Sequence, residues 1–583
     1  MNTDCYAEAT TCRFPSLRHR YQLMLMCMSG LIVTTLNRSM LPALLTETVE
    51  PTQSLRTFAC RPKVRKNASA CLAELEPLSN SRGALQAVDL IGSAVGMLPA
   101  GIIIQRFGPK TMFGLSVFIP GICSMICPLC VRTSSKMMLG NQFIMGMFSG
   151  AQYPAFAWYA VHWLPHTEVG FMLAVILIGT PLGSMIQPLV AHPVMSLGRR
   201  WANVFYMTGA TAIVWAYFWQ ENIWEFPFQH PYIHVDEMEL LEDTTLLNKK
   251  SEWNWTWKSN ITSLQLWTLV VANLGYSWIS TFVDILIPAF YFPYIHNTNS
   301  GIFNPSLGCL AMVLVAATIL ASGVVRDRLV AAHYFHTADI AYIYYSICSV
   351  GGSLMLLGLA HRECHRISVF LYYTSAAMCV GVAAIVRVET ALNMNPHLAA
   401  VNIALTCFPG LIVSPLHIVL GTSLLQGNTF KDWKRLTYLN TVACIIITAV
   451  FLKLGKSLIS FSPDHLRSYQ IRSEDSDQRS PTPSLASEES KELSEGEISE
   501  TRTIRSEIIE MPLQKRVRFA IDRQVEWAIR PHNKSLNAQD VEDIPGTSTQ
   551  GRQIEEDIQI ISTSLPDRLS LEEKNTKDSL TME

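Results

Sequence analysis

Arg38, Asp89 and Asp284 are ionisable residues set inside long apolar runs. A charge held at membrane depth is costly, so such residues ordinarily mark a functional site. An arginine offers a planar fork that grips two oxygens at once, the chemistry of carboxylate or phosphate recognition. A carboxylate at the same depth can neutralise that arginine when no anion is bound, or serve as a proton carrier. With a helical rise of about 1.5 Å per residue, Arg38 falls ~25 Å beyond a span starting at Tyr21, and Asp89 ~9 Å in from the opposite side. Asp284, well into its own run, reaches a similar outer layer. The expectation is an anion site at Arg38, with Asp89 as its partner in the empty state. The competing reading is a static ion pair, or an arginine snorkelling to the interface. His192, His397 and His417 share no ligand spacing, and no nucleophile lies beside a base. The pattern therefore implies no enzyme, metal or cofactor.

The elements that would position these residues are legible from charge distribution. Residues 1–461 carry 51 Lys, Arg, Asp and Glu, whereas residues 462–583 carry 41 in far less length. The first part divides into runs near 20 residues, the length a helix needs to cross ~30 Å of hydrocarbon. Twelve spans are expected, near 21–45, 83–105, 110–131, 137–160, 168–190, 203–223, 264–292, 302–325, 338–360, 367–388, 398–423 and 436–459. Pro99, Pro120, Pro154, Pro181 and Pro409 lie inside them, as a membrane bundle tolerates. The expected fold is all-α and membrane-embedded. It has a short N-terminus (1–20), a six-helix half (21–223) with a polar loop at 46–82, a central loop (224–263), a second six-helix half (264–461) and a tail (462–583). The tail, rich in Ser, Glu, Arg and Thr, buries too little apolar surface to fold.

Residues 1–20 are polar and the first run is too long for a signal peptide, so it is expected to remain as an anchored helix. An even count places both termini on one side. Charge counting alone does not choose the side, because Arg56, Arg61, Lys63, Arg65 and Lys66 oppose Arg106, Lys110, Arg326 and Arg328. The basic surplus of the first part is modest and gives no sign of nucleic-acid binding. Most of the 14 cysteines lie in apolar runs as small hydrophobes. Cys60 and Cys71 differ: they flank the glycosylation sequon at Asn67 in the 46–82 loop. A disulfide and a glycan are both allowed there if the loop is luminal or extracellular.

Gly96-Met-Leu-Pro-Ala-Gly101-Ile-Ile-Ile-Gln105-Arg106-Phe107-Gly108-Pro109-Lys110 joins spans two and three. It resembles the loop motif of the major facilitator superfamily, with Gln105 where the family keeps an acid, a change expected to weaken the latch between helices. A second copy follows span eight, Ser322-Gly323-Val324-Val325-Arg326-Asp327-Arg328, and retains its acid as Asp327. Two copies six spans apart fit a fold of two repeated halves, and the resemblance places both loops and both termini in the cytosol. Gly146-x-x-x-Gly150-Ala-Gln-Tyr153-Pro154, Trp201 to Gly209, His230-Pro231 and Trp257-Lys258 narrow the likeness to the sialin, vesicular glutamate transporter and sodium-phosphate cotransporter family. The likeness covers roughly residues 18–460 and is thinnest over spans nine to twelve.

The resemblance implies a carrier of a small anionic solute, with a central cavity between the halves lined partly by spans one and seven. It makes Arg38, Asp89, Gln142, Tyr153 and Asp284 the candidate binding residues, and Gly101, Gln105, Arg106, Gly108, Lys110, Asp327 and Arg328 the candidate gate. Gln142 stands where the family's anion carriers have a second arginine, Ser149 where they have a glutamate, and Gln86 where one branch has a histidine. These departures disfavour a dianionic substrate and a proton coupling built on the lost groups. Tyr159, His162, Tyr276, Tyr291 and Tyr373 are further candidates for the cavity wall.

In the polar segments, Asp236 to Leu240-Leu241 and Glu242 to Leu246-Leu247 fit acidic dileucine motifs read by clathrin adaptors. Val517 and Phe519 fit a docking motif for protein phosphatase 1, and Ser480 and Thr482 precede prolines. The expected function is transport of a small organic anion or phosphate across a vesicular, lysosomal or plasma membrane, in contact with membrane lipid. The alternative is a carrier-shaped scaffold that acts through its tail.

Overall fold

The computed structural model describes residues 18–47, 78, 81–165, 167–196, 201–230, 233, 237–238, 240–241, 257–291, 305–332, 334–335, 337–362, 366–425 and 430–455. All lie within the unit that spans residues 1–477.

Long apolar sequences form helices here because hydrocarbon offers no partner for a peptide group, and a helix satisfies its own. Among the described residues, ten helical stretches are long and apolar enough to cross a membrane. The other two expected crossings are present in altered form. Span four is two helices, Ser135–Ser149 and Gln152–Trp163. Pro154 has no N–H for the carbonyl of Gly150, so the ladder breaks there. Span six is Ala202–Asn222, helical but rich in aromatic and small polar residues.

Span seven runs as an α-helix over Leu264–Thr281 and continues as a π-helix over Phe282–Tyr291. Pro288 has no N–H to offer the carbonyl of Asp284, and the helix widens across that stretch. Span eight, Pro305–Ala331, is longer than its apolar run, so Arg326, Asp327 and Arg328 stand on the helix and not in the loop expected after residue 325. Spans ten and eleven are Arg366–Met394 and Ala399–Leu424.

Within the first half, span two packs on span four, three on six, and one on five; in the second, seven packs on eleven and eight on ten. Between the halves the main contacts join span two to eleven and span five to eight. Adding six to each number exchanges these two pairs, as expected of a bundle built from a repeated six-span unit. Spans two and four touch backbone to backbone: a β-carbon at Gly146 would collide with the carbonyl oxygen of Asp89. Leu129, Tyr217, Leu371 and Leu416 point out of the bundle, an arrangement suited to acyl chains and not to water.

Candidate functional site: three arginines and a pair of latches

Span one begins at His19 on one face of the bundle, here the near face, and ends at Glu47 on the far face. Arg38 sits nineteen residues along it, ~28 Å from the start. Its Nε donates to Asp89 Oδ2 at 3.1 Å, and its Nη2 donates to the same oxygen and to Ser93 Oγ at 3.2 Å. Ser93 Oγ in turn donates to the carbonyl of Asp89 at 3.0 Å. The two charged side chains remain 27% and 16% exposed, so the pair is not sealed in protein. It faces a small pocket that Gln86 and Gln142 also line. Spans one, two and four thus bring Arg38, Asp89 and Gln142 together, as the sequence predicts. Ser149 instead donates to Gly146 of its own helix, and Gln152, one turn on, bonds Thr34 of span one at 2.6 Å.

Tyr153 and Asp284 are not in this pocket. Asp284 is exposed on the π-helical part of span seven. Tyr153 belongs to a second arrangement that sequence reasoning missed. Arg387 of span ten lies against two tyrosine rings, 4.8 Å from the centre of Tyr153 and 4.9 Å from that of Tyr276. Its Nε points to Cys407 Sγ of span eleven at 3.4 Å. No carboxylate among the described residues pairs with it. The signal was available: residues 368–386 of span ten carry no charge before Arg387 and Glu389. Both residues stand close enough to the end of the run to pass for interface charges, and the short count of buried charges read from the sequence omitted them. Of the other aromatic candidates, Tyr159 and Tyr373 are buried in the core and His162 stacks on Trp158. The side chain of Tyr291 lies outside the described residues.

The third arginine, Arg326, is 1% exposed and pairs with Glu389 of span ten and, at 2.8 Å, with Asp327. Asp327 also accepts hydrogen bonds from the amides of Gly170 and Phe171 at 2.9 and 2.7 Å. Those amides open the first helix of span five, where a carboxylate meets unsatisfied N–H groups and the positive end of the helix dipole. This latch crosses from the second half to the first. Its counterpart joins span two to span eleven, where Gln105 Nε2 donates to the carbonyl of His397 at 2.7 Å. The loss of the family's acid at this position therefore does not remove the connection; a neutral hydrogen bond makes it. Gly101 lies so close to Ala404 of span eleven that a β-carbon would crowd it. Gly108 takes φ = 87° where the chain turns out of span two, a left-handed conformation that favours glycine. Lys110 stacks over Trp224, while Arg106 and Arg328 are exposed on the last turns of spans two and eight.

On the near face, Glu237 is buried and accepts the amides of His19 and Arg20, each at 3.1 Å, at the start of span one. Leu241 is buried in the core beside it. An adaptor reading Leu240 and Leu241 would have to draw this segment out of its packed position. Leu246, Leu247, Asn67, Cys60, Cys71, Val517 and Phe519 lie outside the described residues.

The Major Facilitator Superfamily model matches residues 27–412. Vesicular glutamate transporter 1 of Bos taurus is 29% identical over 208 residues, 34% of this chain and 36% of that protein. Vesicular glutamate transporter 2 of Homo sapiens is 27% identical over the same length, 34% and 35% of the two chains. The match thus spans about a third of the length of these curated relatives. Among solved structures, the proton:xylose symporter XylE bound to 6-bromo-6-deoxy-D-glucose aligns with a TM-score of 0.51 and 14% identity over 74% of this chain and 95% of that one. Paired latches, repeated halves and the family match agree: the chain is a multi-pass membrane protein that belongs to the Major Facilitator Superfamily, a family of transporters and not of enzymes.

Proposed function

We propose that the protein moves a small organic anion or phosphate across its membrane by alternating access. The observation that carries this reading is Arg38, held at membrane depth by Asp89 Oδ2 and Ser93 Oγ and still partly open to solvent. An arriving anion exchanges with Asp89 for the fork of Arg38, so the cation is never left bare in a low-dielectric site. The near-face latches, Gln105 to His397 and Asp327 to the span-five amides, hold that end shut. Release on the near side requires both to part, with the halves rocking about the bound solute. The names of the vesicular glutamate transporters support an anionic cargo.

In this reading the near face and both termini are cytosolic, and the membrane is vesicular, lysosomal or plasma. Transport is facilitative or coupled to H⁺, Na⁺ or Cl⁻. The 46–82 loop faces away from the cytosol, with Asn67 glycosylated and Cys60 joined to Cys71. Leu246-Leu247 and Val517/Phe519 are the docking motifs for an adaptor and a phosphatase.

Full-length protein in proteoliposomes, offered labelled glutamate, N-acetylneuraminate, gluconate, benzoate, succinate and phosphate with and without a pH gradient, tests the reading. Saturable uptake of at least one anion that Arg38→Gln abolishes, with the variant still folded and inserted, is expected. No uptake of any of them by the wild type, or unchanged kinetics in Arg38→Gln, sinks it.

A further inference from the structure

We infer that Arg387, Tyr153 and Tyr276 form a second anion site, specific for a singly charged organic carboxylate, which takes over the cargo from the outer pocket. This rests on the carrier reading and names its substrate class.

Arg38, Arg326 and Arg387 all lie within spans, and they differ in how their charge is met. Arg38 pairs with Asp89, and Arg326 with Asp327 and Glu389. Arg387 has no carboxylate among the described residues. Its cation is met by the faces of two aromatic rings, an interaction that holds a guanidinium without neutralising it. A membrane-embedded cation kept in this way retains one full positive charge for a ligand. That charge matches a monoanion; a dianion would bring a second negative charge with no partner, at a cost the site cannot offset.

Geometry selects a carboxylate. Nε is turned to Cys407 Sγ, and neither terminal nitrogen donates to any described residue. The two ends of the fork are therefore the part available to a ligand, spaced for two oxygens of one carboxylate. The rings cover the guanidinium, and the side chain is only partly buried. The phenol groups of Tyr153 and Tyr276 belong to the same cluster and can donate to a carboxylate.

Position supports a transfer role. Arg387 is seven residues from the near end of span ten, ~10 Å, Tyr276 twelve residues from the near end of span seven, ~18 Å, and Tyr153 ten residues from the near end of span four, ~15 Å. Arg38 stands ~28 Å from the near face, so the two cations occupy successive depths. The cluster also straddles the halves: Tyr153 comes from the first, Tyr276 and Arg387 from the second. A ligand there touches both moving bodies, and the rocking that parts the latches changes the distance between Tyr153 and Arg387.

The test is uptake by full-length protein in proteoliposomes with labelled N-acetylneuraminate, gluconate and benzoate as monocarboxylates and succinate and sulfate as dianions. Folding of each variant is checked by gel filtration and thermal unfolding. The wild type is expected to favour a monocarboxylate over both dianions. Arg387→Gln should raise its half-saturation concentration about tenfold or more, the scale of losing a charge-assisted bidentate contact. Arg387→Lys, which keeps the charge but not the fork, should fall between, and Tyr276→Phe should show a smaller loss. Phenylglyoxal should modify Arg387 in the wild type, and the preferred monocarboxylate should protect it. Uptake that survives unchanged in Arg387→Gln but is lost in Arg38→Gln leaves the carrier standing and overturns this site. So does preference for a dianion, or full rescue by Arg387→Lys together with no protection. Absence of all anion uptake by the wild type overturns both readings.

Discussion

Gln105 donates a 2.7 Å hydrogen bond to the main-chain oxygen of His397, so a neutral amide ties the near end of span two to the start of span eleven. The matching latch on the other pair of spans is ionic, with Asp327 holding two amides of span five. The two closures of one gate therefore differ in strength: a neutral hydrogen bond contributes about 0.5–1.5 kcal/mol net, and one to a charged group about twice that.

The first prediction concerns that asymmetry. Gln105→Ala should raise the near-open population about two- to tenfold, the population equivalent of one neutral hydrogen bond. Gln105→Asp should raise it at least as far, because a carboxylate has no hydrogen to donate to the His397 carbonyl oxygen. An Ala404→Cys reporter, placed where span eleven meets Gly101, would read the change as its rate of labelling by an impermeant maleimide from the near side. Equal rates in all three backgrounds would show that this contact does not gate.

The buried charges of spans eight and ten give the second. Arg326 and Glu389 are 1% and 3% exposed. Removing the acid leaves a buried guanidinium with Asp327 alone, and breaking such a pair costs about 3–5 kcal/mol. Glu389→Ala should lower the thermal unfolding midpoint clearly. The double replacement Arg326→Met with Glu389→Leu should recover much of the loss, since it removes both charges and their desolvation. A double variant less stable than Glu389→Ala would contradict this account.

The Arg38–Asp89 pair was legible because both residues fall inside the bounds of the expected spans and interrupt their apolar runs. The break in span four and the widening of span seven were not expected, because Pro154 was read as tolerated inside one continuous span and the missing N–H of Pro288 was not weighed. Arg387 and Glu389 were not recognised, because the expected span ten ended at residue 388, with Arg387 at its last turn and Glu389 beyond it, whereas the helix runs on to Met394. Only the packing of span ten against seven, eight and eleven turns those two residues inward. The bond between Arg326 and Glu389 is tertiary in the same sense: spacing along one helix cannot reveal a partner on another. The hydrogen bond that Gln105 makes was missed for a different reason. Its acceptor is a main-chain carbonyl, which has no sequence signature.

The third prediction ties packing to the pocket. Gly146 of span four lies against the backbone of Asp89, and any side chain there must push the two helices apart. Overpacking of this kind costs about 1–3 kcal/mol. The displaced atoms carry the partner of Arg38, so uptake should fall by more than stability does. Gly146→Ala is expected to remain folded while losing most transport. A variant with wild-type uptake would separate the glycine contact from the site.

The fourth concerns pH at the near face. His230 lies 3.9 Å, ring centre to ring centre, from His19, close to Glu237 and the first turn of span one. Burial, followed by the neighbouring His19, pushes the His230 imidazole down from 6.5 to about 4. Between those values the unfolded chain takes up a proton that the folded chain refuses. The stabilisation is therefore complete above about pH 6.5 and is lost as the pH falls towards 4. The partial exposure of the ring makes the effect modest. Thermal midpoints measured in detergent at pH 7 and pH 5 should show a drop in the wild type and a smaller one in His230→Gln, which cannot titrate. If the two proteins lose stability equally, the acid sensitivity arises elsewhere in the bundle.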